Sequence, residues 1–511
     1  MVQGTASGVG KSLIATALCR LFATSGYRVA PFKSQNMALN AAVTADGAEI
    51  GRAQAAQAEA AGIEPTADMN PILLKPESDH RSQVVVHGVV RTTVDFRAYQ
   101  TLRADLAPLV VESLDRLRRA YDLVVIEGAG SPAEINLHDT EIVNMWVARQ
   151  ADARVLLVGD IERGGVFASL VGTVELVAPE DRARIGGFII NKFRGDPEIL
   201  APGLRMLSER TGIPVLGVLP VLDERLVPAE DSLDLDAIAR GSEAGTNGAP
   251  CIDIAVVRLP RIANFDDFEP LAVEPGVRVH WATSAADLAG ADLVVLPGSK
   301  STIADLRWLR ETGLAGAVTS AAADGRAVLG VCGGYQMLGR ELRDPDGVET
   351  TGETAPGLGL LPVVTTFERA KRTIRVRGTV ADSVGLFGRA RGAAINAYEI
   401  HAGRTTADAA GARSPFTITD RAGEPVADPD GLSAGDGRIV GTYLHGLFAN
   451  ARVRRALLED LAVRRGVACD PRWGTEVDPA ARYDRLATVV AQALDMAAVA
   501  RLAGIDWRPR G

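Results

Sequence analysis

Apolar residues over the first 220 or so positions fall into short runs, among them Leu123 to Ile126, Val155 to Val158 and Phe188 to Ile190, separated by amphipathic stretches of helical length. A short unbroken apolar run predicts a strand buried on both faces, and its alternation with helix-period stretches predicts a parallel sheet covered by helices. The pattern fails between Asp231 and Pro250, where Asp, Glu, Gly, Ser and Asn crowd together without any apolar period, so a linker is expected there. Strand-like runs resume at Ile252 to Val257, Leu293 to Leu296 and Val328 to Val331, with a helix-like run from Ile303 to Leu309. The organisation read from this pattern is a first α/β domain over residues 1–230, a linker over 231–250 and a second α/β domain over 251–511. The Ala-, Leu- and Arg-rich tail from Ala451 to Leu502 is expected to be helical and to pack back on the second domain.

Length agrees with this division, because 511 residues exceed what one hydrophobic core supports. No segment approaches the roughly 18 uninterrupted apolar residues of a membrane helix, so a soluble protein with no membrane segment is expected. A net charge of -9 argues against a general nucleic-acid binder. Cys19, Cys251, Cys332 and Cys469 lie far apart without a CxxC pair, and no signal-peptide pattern opens the chain, which points to the reducing cytoplasm. The six histidines are scattered and offer no metal-ligand spacing.

The chain opens with Gly4-Thr5-Ala6-Ser7-Gly8-Val9-Gly10-Lys11-Ser12, followed by a helical run from Leu13 to Phe22. Backbone N–H groups of such a loop and the helix N-terminus cradle phosphates, Lys11 adds a point charge and the Ser12 hydroxyl is a Mg²⁺ ligand. Thr5, Ser7, Gly8, Val9, Gly10, Lys11 and Ser12 are therefore the expected ATP-binding residues. Thr5 stands where the first glycine of the usual loop belongs, a variant similar to that of dethiobiotin synthetase and its relatives. Glu127, in Ile126-Glu127-Gly128-Ala129-Gly130 after a buried strand, is a further expected Mg²⁺ ligand. Asp46 is another, with a turn-forming Asp46-Gly47 as the alternative. Asn191, after the strand ending at Ile190, is expected to line the base pocket. Only Met1, Val2 and Gln3 precede the loop, where a strand normally spans about five or six residues. This predicts either a start assigned a few residues late or a shortened strand.

In the second half, Gly330-Val331-Cys332-Gly333-Gly334 follows a strand and precedes a helix-like stretch. A sharp strand-to-helix turn exposes a thiol, small neighbours tolerate the strained backbone, and the helix N-terminus favours the thiolate. Cys332 is the expected nucleophile. Its general base is expected to be His445, with His401 as the competitor. In triad glutaminases a glutamate usually stands two residues after the base, but here that place holds Leu447, so the orienting partner is missing or replaced. The loop at Gly298 and Ser299 directly after a strand, together with the Gly333 N–H, is expected to form the oxyanion hole.

The order of these pieces, with Phe32-Lys33-Ser34-Gln35-Asn36-Met37, Glu49-Ile50-Gly51-Arg52-Ala53-Gln54, Asn70-Pro71-Ile72-Leu73-Leu74-Lys75-Pro76, Asp160-Ile161-Glu162-Arg163-Gly164-Gly165-Val166-Phe167 and Tyr398-Glu399-Ile400-His401, resembles the cobyric acid synthase family over nearly the whole chain. The resemblance implies a P-loop NTPase-like, dethiobiotin synthetase-like parallel-sheet domain followed by a class I glutamine amidotransferase α/β domain. It implies ATP, Mg²⁺ and glutamine as requirements and a corrinoid as substrate, whose b, d, e and g carboxylates are amidated from adenosylcobyrinic acid a,c-diamide, with Cys332 as nucleophile and His445 as base. The first domain would activate a carboxylate by phosphoryl transfer and the second would release ammonia from glutamine through a Cys thioester. The alternatives are a cobyrinic acid a,c-diamide synthase-type enzyme and a nucleotide-dependent regulatory protein with an inactive glutaminase-like module. The basic run Arg369, Lys371, Arg372, Arg375 and Arg377 reads as a solvated strand face, with contacts to substrate carboxylates as the alternative.

Overall fold

The computed structural model describes residues 1–138, 140–222, 227, 252–407, 413–476 and 478–507, and the expected linker at 231–250 lies outside the described residues. The chain forms two compact units: Met1–Ala38, Glu49–Ala229 and Val477–Gly511 make the first, and Leu39–Ala48 and Glu230–Glu476 the second.

In the first unit the strands Val2–Gly4, Val155–Asp160, Ile185–Phe193 and Val215–Pro220 lie side by side in that order, all parallel. Val29–Phe32 pairs in parallel with Leu123–Ile126. A bridge between Val2 and Glu127 joins the two groups, so Val2–Gly4 is short but central. Its central place follows from burial on both sides, and it puts the loop that follows Gly4 at the carboxyl ends of the strands, where open α/β sheets bind ligands. The helix Lys11–Thr24 leaves that loop with Ile14, Leu18 and Phe22 turned into the core at helical spacing. One feature departs from the parallel reading. Residues 35–95 add a mixed sheet in the order Gln35–Met37, Ile72–Pro76, Arg81–Val86, Val89–Asp95, whose last two pairings are antiparallel.

The second unit is built on six strands in the order Val277–Ala282, Ile252–Val257, Leu293–Leu296, Ala327–Val331, Ile439–Thr442, Leu432–Ala434, of which the first five run parallel. The apolar runs seen in the sequence are the buried strands here, as their lack of alternation requires. An antiparallel sheet in the order Ala394–His401, Arg372–Val380, Phe416–Arg421, Glu424–Asp430 is inserted before the last parallel strand, Ile439–Thr442.

The helical tail is divided. The helix Ala451–Arg465 buries Val453, Leu457, Leu458 and Leu461 in the second unit. The helices Pro479–Ala493 and Met496–Leu502 instead belong to the first unit, which corrects the expectation that the whole tail packs on the second. The reason lies in the stripe Leu486, Val490, Leu494, which is buried with Ile14, Leu18 and Phe22, while Arg20 makes a forked pair with Asp484 at 2.8 and 2.9 Å. Among the described residues no helix is long and apolar enough to cross a membrane.

Candidate functional site

The phosphate loop is fixed by its own backbone before any ligand is considered. Thr5 N–H donates to Val158 O at 2.9 Å, Gly8 and Gly10 take φ of 70° and 98°, and Asn191 Nδ2 donates to Val9 O at 2.8 Å. Gly10 has no substitute, because a Cβ there would lie 2.1 Å from Asn191 Nδ2. Asn191, expected along a base pocket, thus braces the loop itself. Ser7 lies exposed in the loop and Lys11 is nearly buried, its Nζ donating to Ala6 O and Gly130 O at 3.0 and 3.1 Å. The ammonium is thereby held within the concave side of the loop, where a phosphate group would meet it.

Glu127 follows its strand into the same place. The Ser12 hydroxyl donates to Glu127 Oε1 at 2.9 Å, Lys33 Nζ lies 2.9 Å from that same oxygen, and Gln57 Nε2 donates to Oε2 at 2.5 Å. Two of the three expected metal ligands, Ser12 and Glu127, are therefore brought together. The third, Asp46, lies in the segment Leu39–Ala48 of the other unit, where its carboxylate accepts from the Thr44 hydroxyl and Gly47 takes φ 82°, so Asp46-Gly47 forms the turn. Among the described residues no group of three or more His, Cys, Asp or Glu side chains is placed to hold a metal ion. One hydroxyl and one carboxylate fit Mg²⁺, which keeps several waters and takes substrate phosphates as its remaining ligands.

In the second unit Cys332 sits between the strand Ala327–Val331 and the helix Gly333–Leu338 with φ 53° and ψ -108°. This backbone conformation is costly for a residue with a Cβ and is found where the surroundings enforce it. Gly334 makes the crossing possible, since a Cβ there would lie 1.9 Å from Leu296 O. The elbow exposes the thiol to a base: the sulfur donates to Ile400 O at 3.3 Å and also interacts with the His445 side chain. His445 is buried; its Nδ1 lies 2.7 Å from Asp267 Oδ2, and Asp267 Oδ1 accepts from Gly446 N–H at 2.7 Å. Burial alone would depress the imidazolium, but the Asp267 carboxylate and the Cys332 sulfur outweigh it and push His445 up to about 10. Tyr398 stacks on His445 with ring centroids 5.3 Å apart and fixes the ring plane.

Asp267 is the member that sequence reading missed. It stands against His445 where no acid at position 447 is available, and it comes from the short 3-10 turn Phe265–Phe268, where Asp266 and Asp267 are buried between two buried phenylalanines. An acidic pair inside an aromatic turn is the signal that was available, since buried carboxylates require partners. His401 has another role. Burial, with the Arg372 and His445 charges nearby, pushes it down to about 3, its ring stacks on Tyr443 at 3.8 Å, and its Nδ1 donates to Gly403 O at 2.9 Å. Gly298, Ser299 and Gly333 converge beside the elbow: a Cβ on Gly298 would lie 3.4 Å from His445 Cε1, and one on Gly333 would lie 2.8 Å from Ser299 N. Gly333 opens its helix, so its N–H has no acceptor within that helix and is available to an oxyanion. Arg375 departs from the solvated face read for the basic run, being partly buried with its Nε donating to Val43 O at 2.7 Å, whereas Arg377 pairs at the surface with Asp420.

Compared with known proteins, residues 1–232 match the family model described as CobQ/CobB/MinD/ParA nucleotide binding domain, and residues 253–453 match the CobB/CobQ-like glutamine amidotransferase domain. A cobyric acid synthase of Sorangium cellulosum (strain So ce56) is 53% identical over 521 residues, covering 99% of each chain. One of Dehalococcoides mccartyi (strain CBDB1) is 50% identical over 496 residues, covering 97% of each. Among solved structures, a glutamine amidotransferase aligns over 41% of this chain and 98% of its own at 19% identity, with a TM-score of 0.30.

Proposed function

Because the chain belongs to the cobyric acid synthase family of glutamine-dependent amidotransferases, we propose that it converts the b, d, e and g carboxylates of adenosylcobyrinic acid a,c-diamide to amides at the expense of ATP and glutamine. The observation that carries this reading is the linked set Cys332, His445 and Asp267 in a chain that opens with a phosphate loop. A regulatory protein with an inactive glutaminase module would have no need to keep a strained cysteine against a charged, oriented histidine.

A carboxylate resists ammonia until one oxygen becomes a leaving group. Transfer of the γ-phosphoryl group of ATP to that oxygen gives an acyl phosphate and ADP, and attack by ammonia then forms the amide and expels phosphate. The loop amides and Lys11 bind the nucleotide phosphates and oppose the charge that builds on the transferred group. Ser12 and Glu127 would hold Mg²⁺, which supplies further charge neutralisation when bound. In the other half-reaction the Cys332 thiolate attacks the carboxamide carbon of glutamine, and the oxyanion accepts from the N–H groups of Ser299 and Gly333. Collapse of the adduct gives a Cys332 thioester as His445 hands a proton to the departing ammonia. Water, deprotonated by His445, then releases glutamate and restores the thiol. Asp267 keeps Nε2 of His445 facing the sulfur throughout, because Nδ1 is engaged.

The test is incubation with the a,c-diamide, ATP, Mg²⁺ and glutamine labelled with ¹⁵N in its amide, followed by mass measurement of the corrinoid. Up to four labelled amides are expected. Reaction only of cobyrinic acid itself would favour an a,c-diamide synthase, and no reaction with either corrinoid would overturn the proposal.

A further inference from the structure

Between Ala38 and Glu49 the chain leaves the first unit, and residues Leu39–Ala48 belong to the second. This excursion is held at named points. Ala41 N–H donates to Asn264 Oδ1 and Phe265 N–H donates to Asn40 Oδ1, both at 3.1 Å, so two buried asparagines exchange bonds with each other's neighbours. Arg375 Nε donates to Val43 O at 2.7 Å, and Gly47 passes so close to Thr373 that an added Cβ would lie 3.1 Å from its carbonyl oxygen.

Each of these contacts leads to the glutaminase residues. Asn264 precedes the turn Phe265–Phe268 that carries Asp267, and its own carbonyl accepts from Asp267 N–H at 3.2 Å. Its φ of 52° is one that asparagine tolerates better than most residues with a Cβ. Thr373 and Arg375 stand opposite Ile400 and Tyr398 in the antiparallel sheet. Ile400 O is the acceptor of the Cys332 thiol, and Tyr398 is the ring stacked on His445. The turn that carries Asp267 is four residues long and has no side-chain cap of its own. A single turn fixes its direction poorly, yet Asp267 must hold two bonds of 2.7 Å at once, and a catalytic group displaced by about 1 Å loses much of its effect.

We propose that Asn40 and Asn264 are positioning residues for glutamine hydrolysis: through them the 39–48 excursion fixes the turn that aims Asp267 at His445. The excursion is flanked on both sides by residues of the nucleotide-binding unit, so the glutaminase is completed by chain that the family match assigns to the other half of the protein. This rests on the reading of Cys332, His445 and Asp267 as a glutaminase.

The experiment uses the full chain as wild type, Asn40→Ala and Asn40→Asp, and measures steady-state glutamine hydrolysis alongside amidation of the a,c-diamide driven by ammonium salt. Asn40→Ala should lower kcat for glutamine hydrolysis about ten- to a hundredfold, with KM for glutamine changed by less than about twofold and ammonia-driven amidation kept. Asn40→Asp retains the acceptor oxygen and should recover most of that kcat. Should Asn40→Ala not fold, Arg375→Met carries the same test, because it releases the excursion at Val43 and predicts the same loss in kcat alone. Unchanged kcat in the folded variant, an equal loss of ammonia-driven turnover, or no recovery in Asn40→Asp overturns the proposal. A wild-type chain that does not hydrolyse glutamine counts instead against the glutaminase reading itself.

Discussion

Asp267 and His445 are 178 residues apart in the chain, and their side chains meet at 2.7 Å. The carboxylate does two things in that position: it fixes the tautomer of the ring and it stabilises the ring's charged form, the second against the cost of burial. Both matter to a thiol nucleophile, because a thiolate beside an imidazolium is the reactive pair.

Asp267→Asn should therefore lower kcat for glutamine hydrolysis by up to about 10⁴, the loss found when the acid of a serine triad is replaced by its amide. The pH dependence has a definite sign. With Asp267 present His445 is held up to about 10, so the alkaline limit of activity lies high. Without that anion the imidazolium gives up its proton at lower pH, and the alkaline limb of the kcat profile should move down. A pH series of glutaminase rates for the two proteins checks this, and an unmoved alkaline limb would separate Asp267 from His445 functionally.

Cys332 carries a prediction about stability as well as chemistry. Cys332→Ala should abolish glutamine-dependent amidation and leave amidation from ammonium salt, because in the proposed mechanism the thiol serves only the release of ammonia. Cys332→Gly should be equally inactive with glutamine, yet more stable than Cys332→Ala. Alanine inherits the backbone strain at φ 53° and ψ -108°, whereas glycine relieves it, and a residue so held stores about 1–3 kcal/mol. Denaturant unfolding of the two inactive proteins measures the difference, and equal midpoints would mean that the elbow is not strained.

The sequence made Cys332 and Lys11 legible because each lies in a local pattern whose backbone does the work: small residues around a strand-to-helix turn, and glycines before a helix N-terminus. Asp267 was hidden because its role is created by tertiary packing, and the usual local signal at the residue after Gly446 is occupied by Leu447. Asp46 was ambiguous from the start, since an Asp-Gly pair that forms a turn has the same composition as a metal ligand beside a glycine, and the structure shows the turn. The buried parallel strands were readable as unbroken apolar runs. The antiparallel strands from Arg372 to Asp430 were not, because they are rich in charged and small residues and are stabilised by pairing across the sheet. The tail was read correctly as helical, but periodicity states only that a helix has an apolar face and not which core receives it.

A third prediction concerns the ion pair beneath the phosphate loop. Lys33 Nζ and Glu127 Oε1 are 2.9 Å apart and both side chains are almost wholly buried. Lys33→Met leaves the Glu127 carboxylate with its hydrogen bonds from Ser12 and Gln57 but without its cation, and the cost should be about 3–5 kcal/mol. Lys11→Ala should act differently. Its ammonium is bound to backbone carbonyls, so its loss should remove amidation with either nitrogen source while leaving glutamine hydrolysis, since ammonia cannot attack a carboxylate that has not been phosphorylated. Unfolding curves for the first variant and the paired assays for the second distinguish a charge that holds the fold from a charge that holds phosphate. Normal ammonia-driven turnover in Lys11→Ala would remove it from the ATP site.

The last prediction follows from the return of the chain end to the first unit. The helix Lys11–Thr24, which presents the phosphate loop at its N-terminus, buries Ile14, Leu18 and Phe22 in a core that also contains Leu486, Val490, Leu494 and Met496. Tyr483 is fully buried, and its hydroxyl donates to Glu59 at 2.8 Å, fastening the same tail helix to the helix Arg52–Ala60. A chain ending at Glu476 would expose this apolar surface, and each side chain so uncovered forfeits about 1.5–3 kcal/mol. The second unit keeps its own helix Ala451–Arg465 and its own core in that chain. The truncated protein should therefore lose ATP-dependent amidation from either nitrogen source while retaining glutamine hydrolysis. A milder variant, Leu486→Ala, should destabilise the first unit by about 2–5 kcal/mol and weaken nucleotide binding without altering KM for glutamine. Nucleotide titration and glutaminase assays on both proteins decide the matter: a truncated chain that still amidates with ammonia and ATP would show that the tail is an ornament on a unit already complete without it.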